Sequence, residues 1–306
     1  MDEGSNPHVV VLFPGALGDL LLAMPAIAGI RARHGRAHVT LVVSGWLCAL
    51  AAVSGIAHAV ASLDDADTAG LFGGTRLPTW MESRPILYSW IGTRDPDVAA
   101  RLRLLAAEAH LFAVVRGDGP EHAGTVYLEQ VGLDAGTADF RWTAVGVTPR
   151  VRALIEGARA PVLAIHPGAG SVAKRWALEG FHDVARRWRE AGGDVVEIVG
   201  PAERDLPSVA EAHRVVDWSL VDVAALLARA DAYVGNDSGI THLAAAMGAR
   251  GVAIFGPTAA RRWAPRGDGI GTLESSNGLA ITALAPERVW RVLAHRGCLD
   301  KLQGRT

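Results

Sequence analysis

Lysine and cysteine are the scarce residues of this 306-residue chain. Of its 30 basic residues only Lys174 and Lys301 are lysines. An ammonium kept in so arginine-biased a chain points to a place that wants a compact point charge. Cys48 and Cys298 stand far apart without companions, which excludes a disulfide framework or a cysteine zinc site and fits a reducing cytoplasm. A net charge of −2 excludes a protein whose main task is gripping nucleic acid. Long uncharged runs are also wanting. Only residues 39–63 lack Asp, Glu, Lys and Arg, and Ser44-Gly45 and Ser54-Gly55 interrupt them. They read as strand 39–43, helix 46–53 and strand 56–61, not as a membrane span. The amino-terminal MDEGSNPH is acidic and lacks the basic-then-apolar layout of a secretory signal.

Two common nucleotide fingerprints are missing as well. The first strand, residues 9–13, runs into PGALGD, whose Gly15 and Gly18 give G-x-x-G-D rather than G-x-G-x-x-G. The second strand ends in Ser44-Gly45 without a ribose-binding acid, so a nicotinamide or flavin site is not expected. The pattern G-x-x-x-x-G-K-[ST] is absent too, which excludes an ordinary P-loop enzyme.

What is present is an alternation of strands and helices in a chain that is 50% hydrophobic and long enough for two domains. PGALGD precedes a helix over 20–34, which Pro25 should end or kink early. Asp19 stands at that loop-to-helix junction, either as a helix N-cap or as a carboxylate able to accept a proton. Residues 64–77 read as a polar, Gly-rich loop, 86–91 as a strand, 97–110 as a helix, 111–115 as a strand and 127–131 as a helix. Periodicity is lost over 132–149, which carries Gly136, Gly146 and Pro149, and a domain change is expected near 143–160.

The second half restarts with strand 162–165 and HPGAGSVAKRW. An amphipathic helix follows over 178–190, with Phe181, Val184, Ala185 and Trp188 on one face, then strand 195–199 and GPAERD. A helix over 221–230 leads to residues 232–258, AYVGNDSGITHLAAAMGARGVAIFGPT. This is the organising stretch: strand 232–234, the polar turn Asn236-Asp237-Ser238-Gly239, a helix over 240–247 with Gly248 as a left-handed stop, and strand 251–255. Such a helix start is a seat for phosphate. Ser238 and Gly239 would face the anion, while Asp237 would cap the helix or hold a ribose hydroxyl. His242, one turn on, donates to an anion or is an internally satisfied core histidine. Residues after Pro265 are Gly-rich up to Leu279, and a last helix spans 286–295, with Arg288, Arg291 and Arg296 on a solvated face.

Loops that follow parallel strands share one sheet edge, so the turns at 166–175, 200–205 and 235–242 should meet. They offer Gly168, Gly170 and Ser171 for close backbone approach, Lys174 as a point charge, Glu203 for ribose hydroxyls, and a helix start. That set suits a nucleoside diphosphate.

Four motifs in order, PGALGDLLLAMPAI, HPGAGSVAKRW, GPAERD and GNDSGITHLAAAMG with FGPT, make the chain resemble glycosyltransferase family 9, the ADP-heptose:lipopolysaccharide heptosyltransferase group. The likeness covers nearly the whole chain and is weakest over 64–145. It implies an α/β, GT-B fold of two Rossmann-like domains with parallel sheets facing an interdomain cleft. Residues 1–150 would receive the acceptor and 151–306 the nucleotide sugar, with the last helix free to pack back on the first domain. It implies Asp19 as catalytic base, with Gly15 and Gly18 in the acceptor-side loop. Lys174, Asp237, Ser238, Gly239 and His242 would line the diphosphate, and Glu203 or its neighbour Asp205 would hold the ribose.

The resemblance further implies inverting transfer of a heptose or related sugar from ADP-heptose or a similar donor. No cofactor and no metal are expected, since no Asp-x-Asp pair stands in the donor loops. The expected partners are the nucleotide sugar and a lipid-linked glycan of lipopolysaccharide-core type. The protein would be cytoplasmic, touching the inner membrane through basic residues of 31–36 or the segment 77–90. Two other readings share the fold: a sugar-nucleotide epimerase or hydrolase, and a non-catalytic sugar-nucleotide-binding protein.

Overall fold

The computed structural model describes residues 7–303 except 75, 135–139, 141, 143, 144 and 276–279. The stretch 1–6 and Gly136, both read above, lie outside the described residues. The chain divides into two compact units, Met1–Gly117 with Ala123–Thr143, and Asp118–His122 with Ala144–Thr306.

The first unit is built on a five-stranded parallel sheet. Its strands are β1 (His8–Leu12), β2 (His38–Val43), β3 (Ala59–Ser62), β4 (Ile86–Ser89) and β5 (Glu108–Leu111), in the order β3-β2-β1-β4-β5. Apolar runs such as Val9-Val10-Val11-Leu12, fully buried, suit a central strand covered on both faces. The chain winds one way from β1 to β3 and then crosses to place β4 on the other side of β1. The switch point of this sheet is therefore the carboxyl edge of β1 and β4.

The second unit repeats this logic with β6 (Val162–His166), β7 (Asp194–Val199), β8 (His213–Val216), β9 (Ala232–Asn236), β10 (Gly251–Phe255) and β11 (Ile270–Glu274). They run parallel in the order β11-β10-β9-β6-β7-β8. Its switch point lies between β6 and β9, the strands that feed HPGAGSVAKRW and NDSG. Helices Leu178–Glu190 and Pro286–His295 fall where the apolar spacing places them. Phe181, Val184, Ala185 and Trp188 of the first join Val289 and Leu293 of the second in one core over β6, β9 and β10.

Several expected boundaries move. The first helix begins at Leu17, not at 20, and runs unbroken to Arg33 with Pro25 inside it. Pro25 thus neither ends nor breaks it, although the bond its missing N–H would have made is lost. Residues expected as a Gly-rich loop contain a 3-10 helix, Ala66–Phe72. The helix expected over 97–110 stops at Leu105, and β5 begins at Glu108 instead of 111. Helix Pro149–Gly157 and strands β8 and β11 occupy stretches in which no element was expected. Within residues 77–90 Met81, Tyr88 and Trp90 are buried, while Leu77 and Trp80 pack on the core of the first unit. Among the described residues no helix is long and apolar enough to cross a membrane. Cys48 and Cys298 are both free thiols.

Candidate functional site

In the first unit, PGALGD lies at the switch point. Ala16 is the helix N-cap, so Asp19 is not a cap; it stands in the first turn of Leu17–Arg33, half-buried, with Gly18 beside it. Gly15 is required by the packing of this turn. A Cβ there would stand 2.4 Å from the Phe13 ring and 2.7 Å from Cβ of Asp19. Phe13, fully buried, meets Trp90 edge-on at 5.4 Å and Tyr127 at 5.6 Å, giving the loop an aromatic floor.

In the second unit the loops at 166–175, 200–205 and 235–242 do come together. Asn236 ends β9, fully buried, and its side chain ties two of them: Oδ1 accepts from the Trp176 N–H at 3.0 Å and Nδ2 donates to the Pro167 carbonyl at 2.8 Å. Gly168 lies against the third, since a Cβ there would come within 2.5 Å of the Glu203 carboxyl carbon. Glu203 is buried and accepts from the Gly200 N–H at 3.2 Å, while Asp205 is exposed. His166, at the end of β6, donates from Nδ1 to the Ile198 carbonyl at 3.0 Å. Burial holds its pKa below the ordinary imidazole value, and Glu203 pulls the other way. Gly170 and Ser171 form the exposed tip of the loop.

The charged centre is Asp237. Its Oδ2 accepts from Lys174 Nζ at 2.7 Å and from the Thr258 hydroxyl at 2.5 Å, and it is 6% exposed. The expectation that Asp237 caps the helix is corrected, because the N-cap of Gly239–Ala246 is Ser238, whose hydroxyl accepts from the Thr241 N–H. The geometry decides this: Ser238 has the extended backbone of a cap while Asp237 is turned onto Lys174. Gly239 opens the helix, leaving first-turn N–H groups without helical partners. Gly248 does take the left-handed backbone, at φ +78°. His242 is buried, and burial, opposed by Asp237 and reinforced by His122 and Lys174, pushes its pKa down to about 4.

The sequence reading gave no role to Thr258, His166 and Arg175, and took Asn236 only as part of the turn. Arg175 follows Lys174, and its buried Nε has no hydrogen-bond partner among the described residues. Among those residues no group of three or more His, Cys, Asp and Glu could hold a metal ion. Neutral donors and cations around a helix start can hold and polarise a diphosphate. A half-buried carboxylate at a sheet switch point can take a proton.

No curated protein matches the sequence significantly. Solved structures do match over the whole chain. A glycosyl transferase family 9 structure from Veillonella parvula DSM 2008 has a TM-score of 0.76 at 18% identity, covering 97% of this chain and 99% of that one. The ADP-heptose lps heptosyltransferase II of E. coli gives 0.72 at 18%, covering 98% and 100%. The E. coli heptosyltransferase WaaC with ADP gives 0.66 at 16%, covering 94% and 99%. Their fold is the expected GT-B class. The sequence model of glycosyltransferase family 9 (heptosyltransferase) matches residues 125–283, just over half of the chain and including Gly168, Lys174, Glu203, Asp237, Ser238 and His242. The chain therefore belongs to glycosyltransferase family 9, the heptosyltransferase family, and is a glycosyltransferase.

Proposed function

We propose that this enzyme transfers a heptose or related sugar from ADP-heptose or a similar nucleotide sugar to a lipid-linked acceptor of lipopolysaccharide-core type, inverting the anomeric carbon without a metal or other cofactor. The observation that carries the reading is the Lys174, Asp237 and Thr258 array at the start of helix Gly239–Ala246, beside Glu203. ADP and ADP-heptose in the descriptions of the two E. coli structures support the choice of donor. Residues 1–150 would serve the acceptor and 151–306 the donor. Work on a lipid-linked acceptor would place the enzyme in the cytoplasm, at the inner face of the inner membrane.

In this mechanism the Asp19 carboxylate removes the proton of an acceptor hydroxyl as that oxygen attacks the anomeric carbon. The bond from that carbon to the diphosphate oxygen breaks, and the nucleoside diphosphate departs from the opposite face. Asp237 aims the Lys174 ammonium, and Lys174, the Ser238-Gly239 helix start and His242 meet the charge that grows on the departing phosphate. Preorganised donors of this kind are each worth about 3 kcal/mol in the transition state. Glu203, buried against the Gly168 backbone, accepts from the ribose hydroxyls.

The test is turnover of ADP-heptose with a lipopolysaccharide-core acceptor. Asp19→Ala should lower kcat by about 10²–10⁴-fold, the usual worth of a general base, and leave ADP affinity nearly unchanged. Lys174→Ala should weaken ADP. Unaltered turnover in the first variant removes the base, and unaltered affinity in the second removes the phosphate site. Release of free heptose without acceptor would favour a hydrolase.

A further inference from the structure

Glu203 stands on a turn that has to be held from outside. It ends the 3-10 helix Pro201–Glu203, where its N–H donates to the Gly200 carbonyl at 3.1 Å and its carboxylate accepts from the Gly200 N–H at 3.2 Å. A helix of one turn ends in carbonyls without helical partners and is too short to hold itself. The tolerance for movement is nevertheless small. The Gly168 backbone comes so close that an added Cβ would stand 2.5 Å from the Glu203 carboxyl carbon.

The support comes from the edge strand β8. Arg214 is the direct register partner of Glu197 in β7. Its Nη2 donates to the Leu206 carbonyl at 2.9 Å and to the Glu203 and Arg204 carbonyls at 3.3 Å each. One guanidinium nitrogen thus gathers the carbonyls at the end of the short helix and of the turn that follows, where a cation is favoured. Nε of the same group stands 3.7 Å from Glu197 Oε2, an ion pair rather than a hydrogen bond. Glu197 is fully buried, and that oxygen also accepts from the Val209 N–H at 3.1 Å, farther along the same connection. A buried carboxylate is costly without a counter-charge, so the pair fixes the guanidinium as well as the acid. The turn has one further ion pair, Arg204 Nη2 to Asp217 at 2.5 Å, but the Arg204 side chain is 58% exposed and such a pair holds little.

We infer that Arg214 is a positioning residue of the donor site: anchored opposite Glu197, it grips the Glu203, Arg204 and Leu206 carbonyls and so fixes the Glu203 carboxylate where the ribose hydroxyls of the donor bind. This deepens the proposed function and rests on the reading of Glu203 as the ribose acid. Arg214 acts through the backbone of Glu203. A lysine cannot replace it, because a single nitrogen cannot face Glu197 and reach the three carbonyls at once.

The test is calorimetric titration of the full chain with ADP and with 2′,3′-dideoxy-ADP, which lacks both ribose hydroxyls, together with urea denaturation of each variant. The parent should prefer ADP by about tenfold or more, the worth of a hydrogen bond to a charged group. Glu203→Ala should abolish that preference. Arg214→Met and Arg214→Lys should lose most of it by weakening ADP, with the affinity for the dideoxy analogue close to the parent's. A role confined to stability would instead lower the urea midpoint and leave the ratio of the two affinities alone. If Arg214→Met, which leaves Glu197 without its cation, does not fold, Arg214→Lys decides. A parent without the preference, or a Glu203→Ala variant that keeps it, removes the ribose reading itself. Loss of the preference in Glu203→Ala but not in the Arg214 variants that fold overturns the positioning role alone.

Discussion

Asn236 shows how much of the donor site hangs on one side chain. It reaches Trp176 and Pro167, 60 and 69 residues away in sequence, and satisfies a buried N–H and a buried carbonyl of the loop that carries Lys174. Asn236→Leu fills similar space but leaves both backbone groups unpaired. Each such loss costs about 1–3 kcal/mol, so the unfolding free energy should fall by roughly 2–6 kcal/mol. Urea denaturation at neutral pH reads this as a lower midpoint at constant slope. An unmoved midpoint would show that the cross-link holds nothing.

At the same scale the sequence was partly legible. Asp19, Lys174 and Ser238 sit in local patterns of strand, turn and helix start, and those patterns are visible in a line of residues. Asn236 was read only as part of the turn, and Thr258 and His122 were not singled out at all. Their contacts with Asp237, Pro167 and Ala264 exist only once the strands are laid side by side. The scarcity of lysine was informative in an unforeseen way. Both ammonium groups pair with buried or half-buried aspartates, Lys174 with Asp237 and Lys301 with Asp231, so neither is a bare charge.

Among elements, those covered on both sides announced themselves, whereas of the four edge strands only β3 fell largely within a stretch read as a strand. Helix Leu178–Glu190 has its apolar residues at helical spacing, and the same four side chains form its buried face. Trp188 is its anchor: fully buried, with Nε1 donating to the Pro161 carbonyl at 3.0 Å. Trp188→Ala should cost about 3–5 kcal/mol by leaving a cavity under β6 and β7, and Trp188→Phe should cost less. Chemical denaturation of both variants measures the difference, and an alanine variant as stable as the parent would contradict the packing described. Strands β5, β8 and β11 pair on one side only, and their short segments EAHL, HRVV and IGTLE mix polar with apolar residues. Half-buried edges carry little periodic signal. Helix Pro149–Gly157 did carry one, a Thr148 side chain accepting from the Val151 N–H ahead of a first-turn proline, within a stretch assigned to the domain change.

For the molecule as a whole, the buried and half-buried histidines set the response to acid. His8 and His34 in the first unit, and His122, His166 and His242 in the second, are all held below the ordinary imidazole pKa, with burial as the first cause. When a folded imidazole has a depressed pKa, the unfolded chain binds the proton first as pH falls. Its contribution to stability is therefore full above about 6.5 and is lost as pH descends toward the folded value. For His242, with a folded value of about 4, that loss is roughly 3 kcal/mol across the window. Glu197 acts in the opposite sense: burial raises its pKa, so in that range the folded state holds the extra proton and gains on acidification. His58 is shifted the same way as these five, so one carboxyl stands against six imidazoles and leaves a net loss. The unfolding free energy, measured in urea from pH 7.5 to 4.5, should therefore fall steadily below about pH 6.5, whereas a flat profile would mean that these imidazoles are already solvated in the folded protein.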